Sequence, residues 1–193
     1  MRKLISFLHS SVDGFVQSKE PWDLGWISYD KDLEAYAREV LSTADTVLWG
    51  RVTYLGMYSY WPSVPANPES SQHERDHAAW IEKTAKVVVS TTLDKAEWNN
   101  SRLIKDNLET EIVKLKQQEG KDIVILGSPG LTHSLTQLGS IDEYRMTLNP
   151  VALGSGVPLF NPLAQRLKLK LVQTKTFDSG ALGLHYQTQR GEK

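Results

Sequence analysis

Ile123-Val124-Ile125-Leu126-Gly127-Ser128-Pro129-Gly130 is an apolar run that ends in glycine, and it repeats in outline an earlier stretch, Val47-Leu48-Trp49-Gly50-Arg51-Val52-Thr53. A short, wholly apolar run closed by a turn residue reads as a strand buried on both faces. Each run therefore predicts a strand that opens through glycine into a helix. Glycine lets backbone approach a ligand closely, the first N–H groups of a helix have no internal partners, and the helix dipole favours an anion there. Two such junctions in one chain predict a bound dinucleotide.

Working outward, strand and helix patterns alternate. Residues 3–9 read as a first strand, and Ser11-Val12-Asp13-Gly14 as a turn. A loop to about Asp30 holds Pro21, Trp22, Asp23, Gly25 and Trp26, more aromatic mass than a solvated loop requires. Leu33, Ala37, Val40 and Leu41 follow helical spacing up to about Thr43; Thr46–Trp49 is a buried-type strand, and Arg51 begins a short helix. Residues 62–72 read as a Pro/Ser loop, 72–84 as a helix and Lys86–Ser90 as a strand. Asp106 is the expected cap of a helix carrying Leu108, Ile112 and Leu115, with Gly120 at its far end, and Leu131, Leu135 and Leu138 mark the helix after residue 126. Such alternation predicts a largely parallel sheet covered on both faces.

The last third differs. Glu143–Pro150 reads as a strand, Gly154-Ser155-Gly156 as a turn, and Leu167–Phe177 alternates apolar residues with lysines before Asp178-Ser179-Gly180 reverses the chain into Leu182–Thr188. This is an antiparallel hairpin whose lysines form a solvated face that discourages edge pairing. The fold class is thus α/β, three-layered, with a mixed but mostly parallel sheet.

The chain has 193 residues, 40% hydrophobic and 23% charged, as expected of one domain spanning 1–193. With 22 basic against 23 acidic residues, no net field attracts nucleic acid or an anionic membrane. The absence of cysteine removes disulfides, thiol chemistry and Cys-ligated zinc, and fits a cytoplasmic setting. No segment approaches the roughly 20 apolar residues of a transmembrane helix.

At the first junction Gly50 allows close approach, Arg51 offers a guanidinium to a phosphate, and Thr53 places a hydroxyl beside Val52 at a helix start. At the second, Gly127, Ser128, Pro129 and Gly130 present the N-terminus, and Leu131 packs beside the ligand. Ser90 and Thr91 follow the carboxyl end of the next strand, where α/β sheets bind ligands, and with Arg51 can hold a 2′-phosphate. The GxGxxG fingerprint is absent, because Gly154-x-Gly156 has Leu159 in third place.

His73-Glu74-Arg75-Asp76-His77 matches H-E-x-x-H, so zinc hydrolysis through His73, Glu74 and His77 is an alternative; the charged residues between them favour a solvated helix, and no metal is expected. Asp13, Asp23, Asp30 and Asp32 cluster around the first loop, with Asp30 a natural N-cap. One buried beside Trp22 or Trp26 would have a raised pKa and supply or relay a proton.

These motifs together resemble the dihydrofolate reductase superfamily, specifically the reductase domain related to the C-terminal part of the bifunctional riboflavin-biosynthesis deaminase-reductase (RibD C-terminal-like). The resemblance runs from Ser11-Val12-Asp13-Gly14 through Gly50-Arg51-x-Thr53, Ser90-Thr91 and Leu126-Gly127-Ser128 to Ile141-Asp142-Glu143 and Pro150-Val151-x-Leu153-Gly154-x-Gly156-Val157-Pro158-Leu159-Phe160. It implies NADPH as cofactor, with pyrophosphate between the helices at Arg51 and Gly127 and the 2′-phosphate near Arg51, Ser90 and Thr91. It implies hydride transfer to a small pyrimidine- or pterin-like heterocycle, as in 5-amino-6-(5-phosphoribosylamino)uracil reductase, and a homodimer. Related reductases commonly place a glutamate before paired glycines, where this chain has Leu126-Gly127-Ser128, and the deaminase part has no counterpart here. Ile27 stands at the position of the folate enzyme's carboxylate, so Asp32, or Asp13, is the expected catalytic acid, with Trp22 and Trp26 toward substrate. The missing glutamate leaves a catalytically silent NADP-binding sensor as the alternative.

Overall fold

The computed structural model describes residues 1–189, so the last four residues of the expected 1–193 unit lie outside the described residues. In chain order the elements are β1 (Leu4–Ser11), β2 (Phe15–Gln17), α1 (Lys31–Ser42), β3 (Ala44–Gly50), α2 (Arg51–Tyr60), a 3₁₀ segment (Trp61–Ala66), α3 (Gln72–Lys83), β4 (Ala85–Val89) and β5 (Ser101–Ile104). They continue with α4 (Leu108–Gln117), β6 (Asp122–Leu126), α5 (Pro129–Gln137), β7 (Glu143–Asn149), β8 (Val157–Pro158), β9 (Leu169–Thr176) and β10 (Leu182–Thr188). Eight strands form one sheet in the order β5-β4-β3-β6-β1-β7-β10-β9, and β2 pairs with β8 in a separate ribbon. Within the large sheet only β10 is antiparallel to its neighbours, β7 and β9.

The apolar runs explain the layering, because successive side chains of a strand point to opposite faces. Val47, Trp49, Val88 and Val124 enter one core with Leu33 and Val40 of α1, Tyr54 of α2 and Ile81 of α3. Leu48, Val87, Ile123 and Ile125 enter the other with Ile112 and Leu115 of α4 and Leu131 and Leu135 of α5. Each such side chain, fully buried, contributes about 1.5–3 kcal/mol.

Strand order follows from the connections. From β1 the chain steps through β3 and β4 to β5 with α1, α2 and α3 on one face; it then returns by α4 to β6, placed between β3 and β1, and leaves by α5 for β7 on the other face. Neighbours β3 and β6 therefore send their helices in opposite directions. A crevice opens at the carboxyl ends of such a strand pair.

Several local expectations are corrected. β2 and β5 were not anticipated: with three and four residues, they are too short to show a period. The 3₁₀ segment Trp61–Ala66, with Pro65 inside it, takes up the start of the expected 62–72 loop. Asn107, in the left-handed conformation, and not Asp106, is the N-cap of α4, and it makes no side-chain capping bond; Asp106 accepts from the Asn107 side chain at 3.1 Å. The hairpin forms as expected, with Leu167 and Leu169 packed on the core and Lys168 and Lys170 exposed, but the expected alternation stops there: Leu171 and Val172 are exposed on the edge strand β9. Among the described residues no helix is long and apolar enough to cross a membrane.

Candidate cofactor and substrate site

The two glycine junctions meet in the β3/β6 crevice. Gly50 N donates to Ser128 Oγ at 2.8 Å, and the Trp49 indole donates to Leu126 O at 2.8 Å, so β3 and β6 are tied together where their helices start. Gly127 and Ser128 both have positive φ, +67° and +58°, which turns the chain sharply before Pro129 at the first helical position. Gly127 N is anchored to Phe7 O of β1 at 2.9 Å. Thr53 faces Gly127, its methyl 4.0 Å from where a Cβ would lie, and nothing comes within 4 Å of a Cβ position on Gly130. Leu131 is buried, Arg51 and Val52 are exposed, and Thr53 is half-buried at the rim.

The helix starts differ electrostatically. Asp30 caps α1, Ser71 and Glu74 close a capping box on α3, and α4 has Glu109 and Glu111 in its first turn. By contrast, α2 and α5 have neither a capping side chain nor an acidic residue in the first turn. Their free N–H groups and positive dipole ends are uncompensated, and α2 adds Arg51 where a cation is disfavoured. An anion bound in the crevice satisfies all three features.

Ser90 and Thr91 lie at the same sheet edge, beyond β4. Ser90 is buried, and its Oγ accepts from Thr92 N at 3.2 Å and Leu93 N at 3.0 Å, while Thr91 is exposed. Ser90 thus builds the loop, its hydroxyl also meeting Thr92 Oγ1 at 3.4 Å, and Thr91 is accessible.

Residues 18–30 form a strap over this edge. Asp23 organises it, accepting from Ser18 Oγ at 2.9 Å and Gly25 N at 3.1 Å, and its carbonyl takes the Trp26 indole N–H at 3.1 Å. The Trp22 ring lies against α2, where a Cβ on Gly56 would come within 2.1 Å of it. Ser28 N donates to the side chain of wholly buried Asn149 at the end of β7, 2.9 Å away. Trp22 is half-exposed and Trp26 partly buried, both on the strap and not on the sheet floor.

The candidate carboxylates bind backbone. Asp13 accepts from Ser11 Oγ at 2.6 Å, Leu153 N at 3.0 Å and Gly154 N at 2.7 Å. The Ser11 hydroxyl, then the two amides, holds its carboxyl below the ordinary range. Asp30 accepts from Leu33 N and Ser179 N, and hydrogen bonding from Ser179 and then Leu33 lowers its pKa as well. Asp32 Oδ2 accepts from Asp178 N at 2.9 Å, and the residue borders a shallow pocket with Tyr36, Lys175 and Phe177. Asp13 and Asp30 are thus shifted opposite to the raised pKa expected of a buried proton donor.

The H-E-x-x-H residues have other partners. Glu74 accepts from Ser71 N and the Tyr60 hydroxyl, both at 2.7 Å; His73 Nε2 meets the Tyr29 hydroxyl at 2.9 Å. His77 packs between Trp61 and Trp80, and burial pushes its pKa down to about 4. Among the described residues no three His, Cys, Asp or Glu converge as metal ligands. A cavity of about 190 Å³ between α1 and α3, bordered by His77 and Trp80, contains no residue of the glycine junctions.

Sequence analysis overlooked His9, Thr147 and Asn149, which lie together at the carboxyl ends of β1 and β7. Polar residues inside otherwise apolar or alternating strands were the available signal, but their convergence depends on the pairing of strands far apart in sequence.

Comparison with known proteins agrees with this architecture. The uncharacterized protein YyaP of Bacillus subtilis (strain 168) is 33% identical over 185 residues, spanning 96% of this chain and 94% of that protein. Among solved structures, RibD of Acinetobacter baumannii superposes with a TM-score of 0.65 at 19% identity, over 98% of this chain and 59% of that one. Dihydrofolate reductase of Enterococcus faecalis, solved with NADP(H), gives 0.60 at 17% identity over 97% of both chains. The fold is that of dihydrofolate reductase. A profile of the RibD C-terminal domain matches residues 2–182, and the chain belongs to that family.

Proposed function

We propose that this protein is an NADPH-dependent reductase that delivers a hydride to a small heterocycle of the pyrimidine or pterin kind. The observation that carries the proposal is the pair of uncapped, acid-free helix starts that share one crevice, with Arg51 at its rim. The open space over Gly130 fits close approach of a ligand to backbone. Membership of the RibD C-terminal family supports a reductase, and a Thermotoga maritima neighbour, of which this chain covers 57%, bears the double name diaminohydroxyphosphoribosylaminopyrimidine deaminase/5-amino-6-(5-phosphoribosylamino)uracil reductase.

In this mechanism the N–H groups at Arg51, Val52 and Thr53, and at Gly130 and Leu131, would hold the pyrophosphate. Gly50, Gly127, Ser128 and Pro129 shape the turns that present them. Arg51 and Thr91, with the Ser90 hydroxyl, favour the 2′-phosphate and hence NADP over NAD. The nicotinamide supplies the hydride, and the protein positions the acceptor and excludes water. Trp22 and Trp26 cover the acceptor from the strap, and Asp32, or Asp13, relays the proton. A cytoplasmic homodimer completes the proposal.

NADPH titration tests it directly, because Trp49 is buried at the crevice. Saturable quenching of tryptophan fluorescence with a rise in Tm is expected; absence of both ends the proposal. A silent NADP-binding module is the competing reading, favoured by the engagement of Asp13 and Asp32 with backbone donors. Oxidation of NADPH with any member of a pterin, pyrimidine and quinone panel, lost in Asp32→Asn while cofactor binding persists, excludes that module.

A further inference from the structure

His9, Thr147 and Asn149 form a hydrogen-bonded line on the sheet face beneath the strap. Asn149 and Thr147 are wholly buried, whereas His9 keeps part of its surface open. Ser28 N donates to Asn149 Oδ1, which fixes that amide's orientation; Nδ2 then donates to Ser10 O and to Thr147 Oγ1, each at 3.2 Å. Thr147 Oγ1 is 2.7 Å from His9 Nδ1. The line therefore has a direction. Thr147 already receives a proton from Asn149, and the only acceptor for its own among the described residues is His9 Nδ1. A buried hydroxyl uses its donor, so Nδ1 accepts and the imidazole proton stands on Nε2.

Nε2 has no protein partner among the described residues and is not sealed from solvent. Packing nevertheless desolvates the ring enough to push its pKa down to about 4. The ring is thus both desolvated by packing and partly open to solvent. His9 follows Phe7 on the same face of β1, their rings 5.6 Å apart, and Phe7 O receives the Gly127 amide of the glycine junction. The overlying strap carries Trp26, and Ile27 packs on the same core.

Resting on the reductase reading above, we infer that His9 is a substrate-contacting residue whose fixed Nε2–H donates to the uncharged carbonyl oxygen of a planar lactam. A neutral, desolvated imidazole suits that edge and not a phosphate, which calls for a cation. It holds the acceptor in place and does not supply the proton, because its acidic form is scarce at neutral pH.

Lumazine, a bicyclic lactam, is the probe, and quinoxaline, a bicycle without lactam groups, is the control; both are titrated into NADP⁺-loaded protein. His9→Ala should weaken lumazine about five- to tenfold, the range of one lost hydrogen bond, with quinoxaline and NADP⁺ binding unchanged. His9→Gln, which retains a donor, should recover part of the loss. Thr147→Val should also weaken lumazine by releasing the tautomer, which keeps the test valid if His9 variants misfold. Independently of any ligand, ¹⁵N spectra of the wild-type ring at neutral pH should show protonated Nε2 and bare Nδ1. The inference is overturned by the opposite tautomer, by failure of lumazine to bind wild type, or by unchanged lumazine affinity in His9→Ala. Failure of the reductase reading has its own signature, namely wild-type protein that does not bind NADP⁺.

Discussion

The β3/β6 crevice and the Asp13–Asp32 region lie at the same edge of one sheet, yet they treat backbone N–H groups in opposite ways. In the crevice the helix-start donors of α2 and α5 have no side-chain cap and no nearby acid, and a basic residue stands beside them. In the second region every candidate carboxylate has already captured backbone donors: Asp13 those of Leu153 and Gly154, Asp30 those of Leu33 and Ser179, Asp32 that of Asp178. The same electrostatics is left open in one place and satisfied by the chain itself in the other. Carboxylates at this edge fasten loops, whereas the helix starts of α2 and α5 keep their donors free of side-chain caps.

The largest expected effect breaks the self-satisfied side. Gly156 has φ +146°, and a Cβ there would lie 2.0 Å from Gln17 O, on the loop that Asp13 fastens. Gly156→Ala should cost about 3 kcal/mol or more, read as a lower urea midpoint, since neither backbone can yield without unpairing β2 from β8. On the open side, Arg51→Ala should weaken NADPH roughly tenfold or more, the value of a charge-assisted hydrogen bond, yet leave Tm unchanged or slightly raised. A fall in Tm with unaltered NADPH affinity would assign Arg51 to folding instead.

Gly130→Ala sharpens the comparison further. Nothing lies near the new methyl group, so stability should hold or improve, while NADPH binding by isothermal titration should weaken if the ligand approaches that backbone. The smallest effect concerns Asp13. Its folded pKa is depressed, so its stabilisation is present above the unfolded value of about 3.9 and disappears as pH falls through the folded value. Asp13→Asn should therefore be less stable than wild type at neutral pH, with the difference closing below about pH 4. A gap that persists in acid would mean that the amide fails sterically.

Much of the site was legible because its signals are local. Glycine after an apolar run, the missing acids in two first turns and the lone arginine are all readable within a few residues. Asp30 as a cap follows from the same kind of signal. The Asp106 expectation failed because Asn107 adopts a left-handed conformation, a choice that residue type permits but does not dictate. Ser90 was placed correctly at the strand exit, but its hydroxyl bonds were not foreseeable.

By itself, the sequence determined the layers, the mostly parallel sheet, the hairpin and two anion-ready helix starts, because apolar periodicity and turn chemistry act over one or two turns of chain. Tertiary structure alone decided that β6 inserts between β3 and β1, bringing Gly50 to Ser128, and that β7 lies beside β1, bringing Thr147 to His9. The physical reason is range. Which strands become neighbours depends on burying both faces of the whole sheet at once, and no local pattern records that pairing.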